Sequence, residues 1–233
     1  MKSLKLFAIT VITFVAVAVS SSTCRAQLVP LTGGEITLDL NETALGAAAV
    51  VTSVTSDVTV IGSIDSGFDQ LVFDINSRDA LSNPTTFEYS IPDPLDLDPV
   101  ITPVDGTVGT SGSIFFNEGI FGRPEFSIGD LEFGFDASRI NPNNSGFFAE
   151  STTGFVGIVF DIGEGGSLVA TETDLEFFSD IFLSPELATA LSQPLLAGAL
   201  IGTFEIDAVP EPTGLSCCVI FGIVMTLSRR RSA

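Results

Sequence analysis

Thr203-Phe-Glu-Ile-Asp-Ala208 alternates apolar and ionised side chains without a break, which puts Phe204, Ile206 and Ala208 on one face of an extended chain and Glu205 and Asp207 on the other. A helix would scatter these residues around its axis, whereas a strand with one buried face sorts them. The same period of two recurs upstream. Glu35–Leu40 aligns Ile36, Leu38 and Leu40, Gln70–Ile75 aligns Leu71, Phe73 and Ile75, and Thr85–Ile91 aligns Phe87, Tyr89 and Ile91. Leu131, Phe133 and Phe135 repeat it, followed by Val156, Ile158, Phe160 and Ile162. Val50–Ile64 adds one or two less regular strands. Between these runs stand Asp65-Ser-Gly67, Asp105-Gly106, Asn141-Pro-Asn-Asn-Ser-Gly146 and Gly163-Glu-Gly-Gly166, residues that favour turns. The pattern predicts an all-β fold, an antiparallel β-sandwich of jelly-roll type with roughly eight to ten strands. Its core should include Phe73, Phe87, Phe133, Phe160 and Phe204.

One short helix is expected. Ser184-Pro185-Glu186 supplies an N-cap hydroxyl, a proline at the first helical position and an acid at the positive end of the helix dipole. Leu187, Ala188 and Leu191 would form its apolar stripe, with Pro194 ending it. The proline-rich stretch Pro92–Pro103 reads as an exposed loop. Gly67–Ile75 and Gly154–Ile162 echo each other, which either a duplicated unit or two strands under the same packing demands would produce.

Composition narrows the chemistry. Between Gln27 and Val209 lie 28 acidic residues against Arg78, Arg123 and Arg139, a formal charge of −25 with no lysine. Such a surface repels nucleic acid and anionic lipid, and it repels acidic polysaccharide unless divalent cations bridge the two. The chain has no histidine, which excludes a Ser-His-Asp triad and a His-ligated catalytic zinc. This central stretch also has no cysteine, hence no disulfide and no thiol nucleophile. Carboxylate chemistry remains open, because a glycan hydrolase needs only two suitably spaced acids. A calcium site is a second open reading. Asp93, Asp96, Asp98 and Asp105 supply the hard oxygens that calcium prefers, and Asp96 and Asp98 share one side of an extended chain. The Asp-x-Asp-x-Asp-Gly order of a calcium loop is absent, so the same acids also read as a solvated loop. No other cofactor is expected.

The two ends carry an address. Lys2 and Lys5 precede the apolar run Leu6–Val19 and the small polar stretch Ser20–Ala26, the grammar of a signal peptide over residues 1–26. Signal peptidase would leave a chain beginning near Gln27. At the other end Pro210-Glu211-Pro212 leads into the fourteen-residue apolar run Gly214–Leu227, and Arg229, Arg230 and Arg231 follow. Two prolines around a carboxylate keep the backbone extended. The run is short for a span of about 20 residues, and the arginines would be held on the cytoplasmic side. This order resembles the PEP-CTERM sorting signal of exported proteins in exopolysaccharide-making Gram-negative bacteria. The resemblance covers the segment 209–233. It implies transient membrane insertion, cleavage near the Pro-Glu-Pro motif by an exosortase-type enzyme, and association of the released body with extracellular polysaccharide.

Taken together, the sequence predicts a signal peptide, a β domain over 27–208 and a sorting segment with a transmembrane helix over 214–227. The expected product is a non-catalytic protein of the cell surface or extracellular matrix. A glycan- or calcium-binding module and a carboxylate-dependent glycan hydrolase are the alternatives.

Overall fold

The computed structural model of the chain describes residues 27–45, 51–62, 70–91, 102–116, 126–164, 166–171 and 174–210. Residues 1–26, expected to be a signal peptide, and the segment from Glu211 onward lie outside these residues. Among them the chain forms strands β1 (Gln27–Leu40), β2 (Val51–Val54), β3 (Val58–Ile61), β4 (Gln70–Asp74), β5 (Glu88–Ile91), β6 (Thr102–Asp105) and β7 (Val108–Gly109). There follow β8 (Ser113–Phe116), β9 (Phe126–Phe135), β10 (Asn144–Gly154), β11 (Gly157–Gly163), β12 (Leu168–Ala170), β13 (Leu175–Leu183) and β14 (Leu200–Pro210). A single helical turn, α1 (Glu42–Leu45), follows β1, and helix α2 (Pro185–Ala190) follows β13.

The strands join one continuous antiparallel sheet in the order β2-β8-β9-β10-β11-β13-β14-β1-β4-β3, with β5 and β6 extending from the first part of β1. The opposed layers expected of a sandwich are therefore opposite walls of a single sheet that curls into a nearly closed barrel. Two features make the curl. A bulge between Leu31 and Gly33 breaks β1, so that Gln27–Pro30 pair with β5 while Glu35–Leu40 pair with β14 and β4. A polar clasp then links the end of β4 to the region around β7. Ile75 bridges Thr110, the Asn76 backbone N–H donates to the Gly109 carbonyl at 2.8 Å, and Asn83 Nδ2 donates to the Asp130 carbonyl at 2.7 Å. Asn83 and Asp130 adopt positive φ (43° and 47°), a conformation that short polar side chains tolerate best.

The barrel interior is filled by side chains. Phe73, Phe87, Phe133, Phe160 and Phe204 are all buried, as the alternation predicts. Phe133 on β9 meets Phe204 on β14 with ring centroids 5.1 Å apart, so the two walls touch. Phe177 and Phe147 continue the stack at 5.9 and 5.6 Å. Tyr89 is wholly buried, and its hydroxyl donates to the Thr171 carbonyl at 3.1 Å. Burial pushes this phenol well above the usual tyrosine range, with the Asp174 carboxylate adding to the effect.

The helix forms where its capping residues indicate. Ser184 Oγ accepts the Leu187 N–H at 3.0 Å, Leu187, Ala188 and Leu191 are buried, and Pro194 opens a separate 3-10 turn. The stretch expected as a loop, Pro92–Pro103, ends differently. Thr102 and Pro103 belong to β6, where Pro103 stands opposite Tyr89 on an outer strand that can spare the missing N–H. Strand β14 also runs two residues past the expected domain boundary. Val209 and Pro210 belong to it, with Pro210 buried and opposite Leu31.

Candidate functional site

The outer face of the sheet concentrates the negative charge in rows. Strand pairing sets Asp74, Glu35, Asp207 and Glu176 directly opposite one another on β4, β1, β14 and β13, all four exposed. Neighbouring strands are about 4.8 Å apart, so these carboxylates recur at close intervals with no basic residue between them in the row. Glu205 occupies the next row and Asp39 and Asp180 the one beyond, on either side of Thr203. Like charges directly opposite weaken a sheet, and the apolar alternation on the inner face offsets that cost. Among the described residues no group of three or more acids is arranged to hold a metal ion.

A second acidic pair lies on the opposite wall. Glu132 on β9 stands opposite Glu150 on β10, both half-buried. Burial raises the Glu132 carboxyl above the usual range, and repulsion from Glu150 adds to the shift. A hydrolase would need two neighbouring acids beside a substrate cleft, but neither residue lines the recess near Arg139 or the cavities of the barrel interior.

The polar centre with the most developed geometry is built on Arg139. Asp136 accepts the Ser138 N–H at 2.8 Å and caps the 3-10 turn Ala137–Arg139, which aims the arginine at the outside of β11. Arg139 Nε donates to Asp161 Oδ1 at 2.7 Å, and its two terminal nitrogens donate to Glu186 Oε1 and Oε2 at 2.7 and 3.1 Å. Asp161 is buried, at 4% side-chain exposure, while Glu186 keeps 42%. The bidentate bond from Arg139 holds the Glu186 carboxyl below its usual range, and the same bond raises the guanidinium further. A solvent-open recess of about 330 Å³ lies beside the clamp, lined by Ser138, Asn141, Asn144, Asp161 and Pro185 among others. One guanidinium faces two carboxylates, so the clamp keeps a net negative charge, and it ties helix α2 to the barrel wall. Sequence reasoning did not find it, because nothing local links positions 139, 161 and 186. The available signal was scarcity: three basic residues among so many acids.

The other described arginine is paired as well. Arg78 donates to Glu88 Oε1 at 3.0 Å. An interior cavity of about 50 Å³ is lined by apolar residues, including Phe87, Val108, Phe133, Phe147, Phe177 and Phe204. A space of this kind stays dry.

Of the acids offered as calcium ligands, only Asp105 is described. It is exposed at the end of β6, opposite Glu88, and accepts the Gly106 N–H at 2.8 Å in the turn expected there. Asp93, Asp96 and Asp98 lie outside the described residues. So do Glu211, Pro212 and Arg229, Arg230 and Arg231, while Pro210 ends β14. Among the described residues no helix is long and apolar enough to cross a membrane.

No protein-family model matches the chain. No curated protein matches it either. Among solved structures, the C-terminal domain of HtaA from Corynebacterium glutamicum is similar at 16% sequence identity, over 78% of this chain and 99% of that one, with a TM-score of 0.46. A likeness of that degree bears on neither ligand nor activity.

Proposed function

We propose that this is an exported, non-catalytic protein of the cell surface or extracellular matrix, delivered by a PEP-CTERM-type tail. One observation carries the reading: the order of Pro210-Glu211-Pro212, the apolar run Gly214–Leu227 and Arg229–Arg231 at one end of a chain whose other end has signal-peptide grammar. Signal peptidase removes residues 1–26. The apolar run then holds the precursor in the inner membrane with the arginines in the cytoplasm. An exosortase-type enzyme cuts near the motif, and the acidic β domain passes to the surface, where exopolysaccharide is its partner. The domain has no histidine, lysine or cysteine, which supports a role without imidazole, amine or thiol chemistry. Its carboxylate rows keep the released domain soluble and would engage an acidic polysaccharide only through divalent cations.

Cell fractionation tests this reading. The full chain expressed in its native organism should reach the surface fraction, and a chain replaced by Ala at Arg229, Arg230 and Arg231 should lose membrane retention of the precursor. A wild-type chain that stays in the cytoplasm would contradict the proposal.

A further inference from the structure

The strand register places both ends of the barrel chain at one pole. Gln27–Pro30 pair with β5 at that pole, and Pro210, the last residue of β14, stands opposite Leu31 on the neighbouring strand. Ile61 and Gln70 lie opposite each other at the far pole, beside Asp39 and Thr203. About ten residues of β1 separate the two poles, which at about 3.3 Å per residue is roughly 30 Å. Beyond Pro210, only Glu211, Pro212 and Thr213 precede the apolar run. Fully extended, three residues reach roughly 10 Å. Pro210 is itself fixed, buried in β14, and Thr32 Oγ1 donates to the neighbouring Val209 carbonyl at 2.9 Å. The barrel therefore has no slack with which to move away from whatever holds the tail.

The side chains at this pole suit an apolar contact. Leu28, Val104 and Val209 are 52%, 50% and 54% exposed. The charged groups nearby are the exposed Asp105 and Asp174, Glu88, which Arg78 pairs with, and the carboxylate row that begins at Asp207 and Glu35, two residues inward of Val209 and Gly33.

We propose that this pole rests against the lipid surface while residues 214–227 are in the membrane, so that the processing enzyme meets the Pro-Glu-Pro motif in a gap of roughly 10 Å between barrel and bilayer. The proposal rests on the tail reading above and adds an orientation: the β1/β14 pole inward, the Ile61 pole outward. It also gives the cleavage a second consequence. Cutting releases the pole as well as the tether, and exposes Leu28, Val104 and Val209 together.

The test uses the chain from Gln27 to Ala233 with Cys217 and Cys218 changed to Ser, reconstituted in phosphatidylcholine vesicles that carry a headgroup-depth quencher lipid. A fluorophore is attached through Leu28→Cys, Val104→Cys or Ile61→Cys, the last position being 56% exposed at the far pole. Quenching should be several-fold stronger at positions 28 and 104 than at 61. A long Gly-Ser spacer inserted between Pro210 and Glu211 should remove most of the difference. A chain that floats with the vesicles but quenches equally at both poles overturns the orientation alone, as does a difference that survives the spacer. A chain that does not float overturns the tail reading and the orientation with it.

Discussion

At the scale of single residues, the energetics centre on the few positions where charge is buried. Arg139→Met would leave Asp161 buried without its partner, and breaking such a pair typically costs about 3–5 kcal/mol. Glu186→Gln removes a partly exposed partner and should cost less than about 1 kcal/mol. Urea unfolding of the two variants checks this order. The acids also set opposite pH dependences. Glu186 is held below its usual range, so its stabilisation is complete above the ordinary glutamate range and fades as pH falls through the depressed one. Glu132 is raised, so the folded state binds its proton more readily than the unfolded chain does. Its contribution is present below the ordinary range and is lost as pH rises through the raised one. Glu132→Gln should accordingly stabilise the protein at neutral pH and bring no gain at low pH, as read from melting temperatures across pH 3–8. Residue identities in the core were legible because a period of two sorts Phe73, Phe133 and Phe204 by face. Asp161 was not. It sits in an outward slot of β11 that looks solvent-exposed until Arg139 and helix α2 cover it.

At the scale of elements, β14 has the most to lose. It pairs with β1 on one side and β13 on the other, and its inner face carries Phe204 against both Phe133 and Phe177. Phe204→Ala should cost about 3–5 kcal/mol, a large part of the 5–15 kcal/mol typical of a whole domain; chemical denaturation measures it. The strands missed by sequence reasoning share a physical cause. β10 opens with Asn144-Ser-Gly146, residues that mark a turn when read locally, yet the Asn144 pairing with Gly163 begins a ladder there. β13 contains Phe177-Phe178, which blurs the alternation, and its inner face includes Ser179, a polar residue satisfied by donating to the Gly163 carbonyl at 2.8 Å. Helix α2 was readable because capping is local chemistry. Whether the layers formed two sheets or one was not readable, since the bulge in β1 and the clasp at Asn76 and Asn83 depend on distant partners.

At the scale of the whole molecule, a charge of −25 between Gln27 and Val209 works against the compact state. Salt shortens the repulsion to about 8 Å at physiological strength, so the melting temperature should rise gradually with sodium chloride. At fixed high sodium, calcium should add little and should not saturate. A saturable rise at low calcium, abolished by Asp96→Ala and Asp98→Ala, would instead establish a specific site on the Asp93–Asp105 stretch, as binding to the native state requires. In the proposed function, the expected signal peptide and sorting tail, held at one pole of the barrel, export this charged domain and then release it. The central claim is processing at both ends. The most direct test is the intact mass of the protein recovered from the surface of its native organism. The account predicts a chain running from near Gln27 to close to Pro212. A surface protein that still contains the Cys217-Cys218 peptide would contradict it.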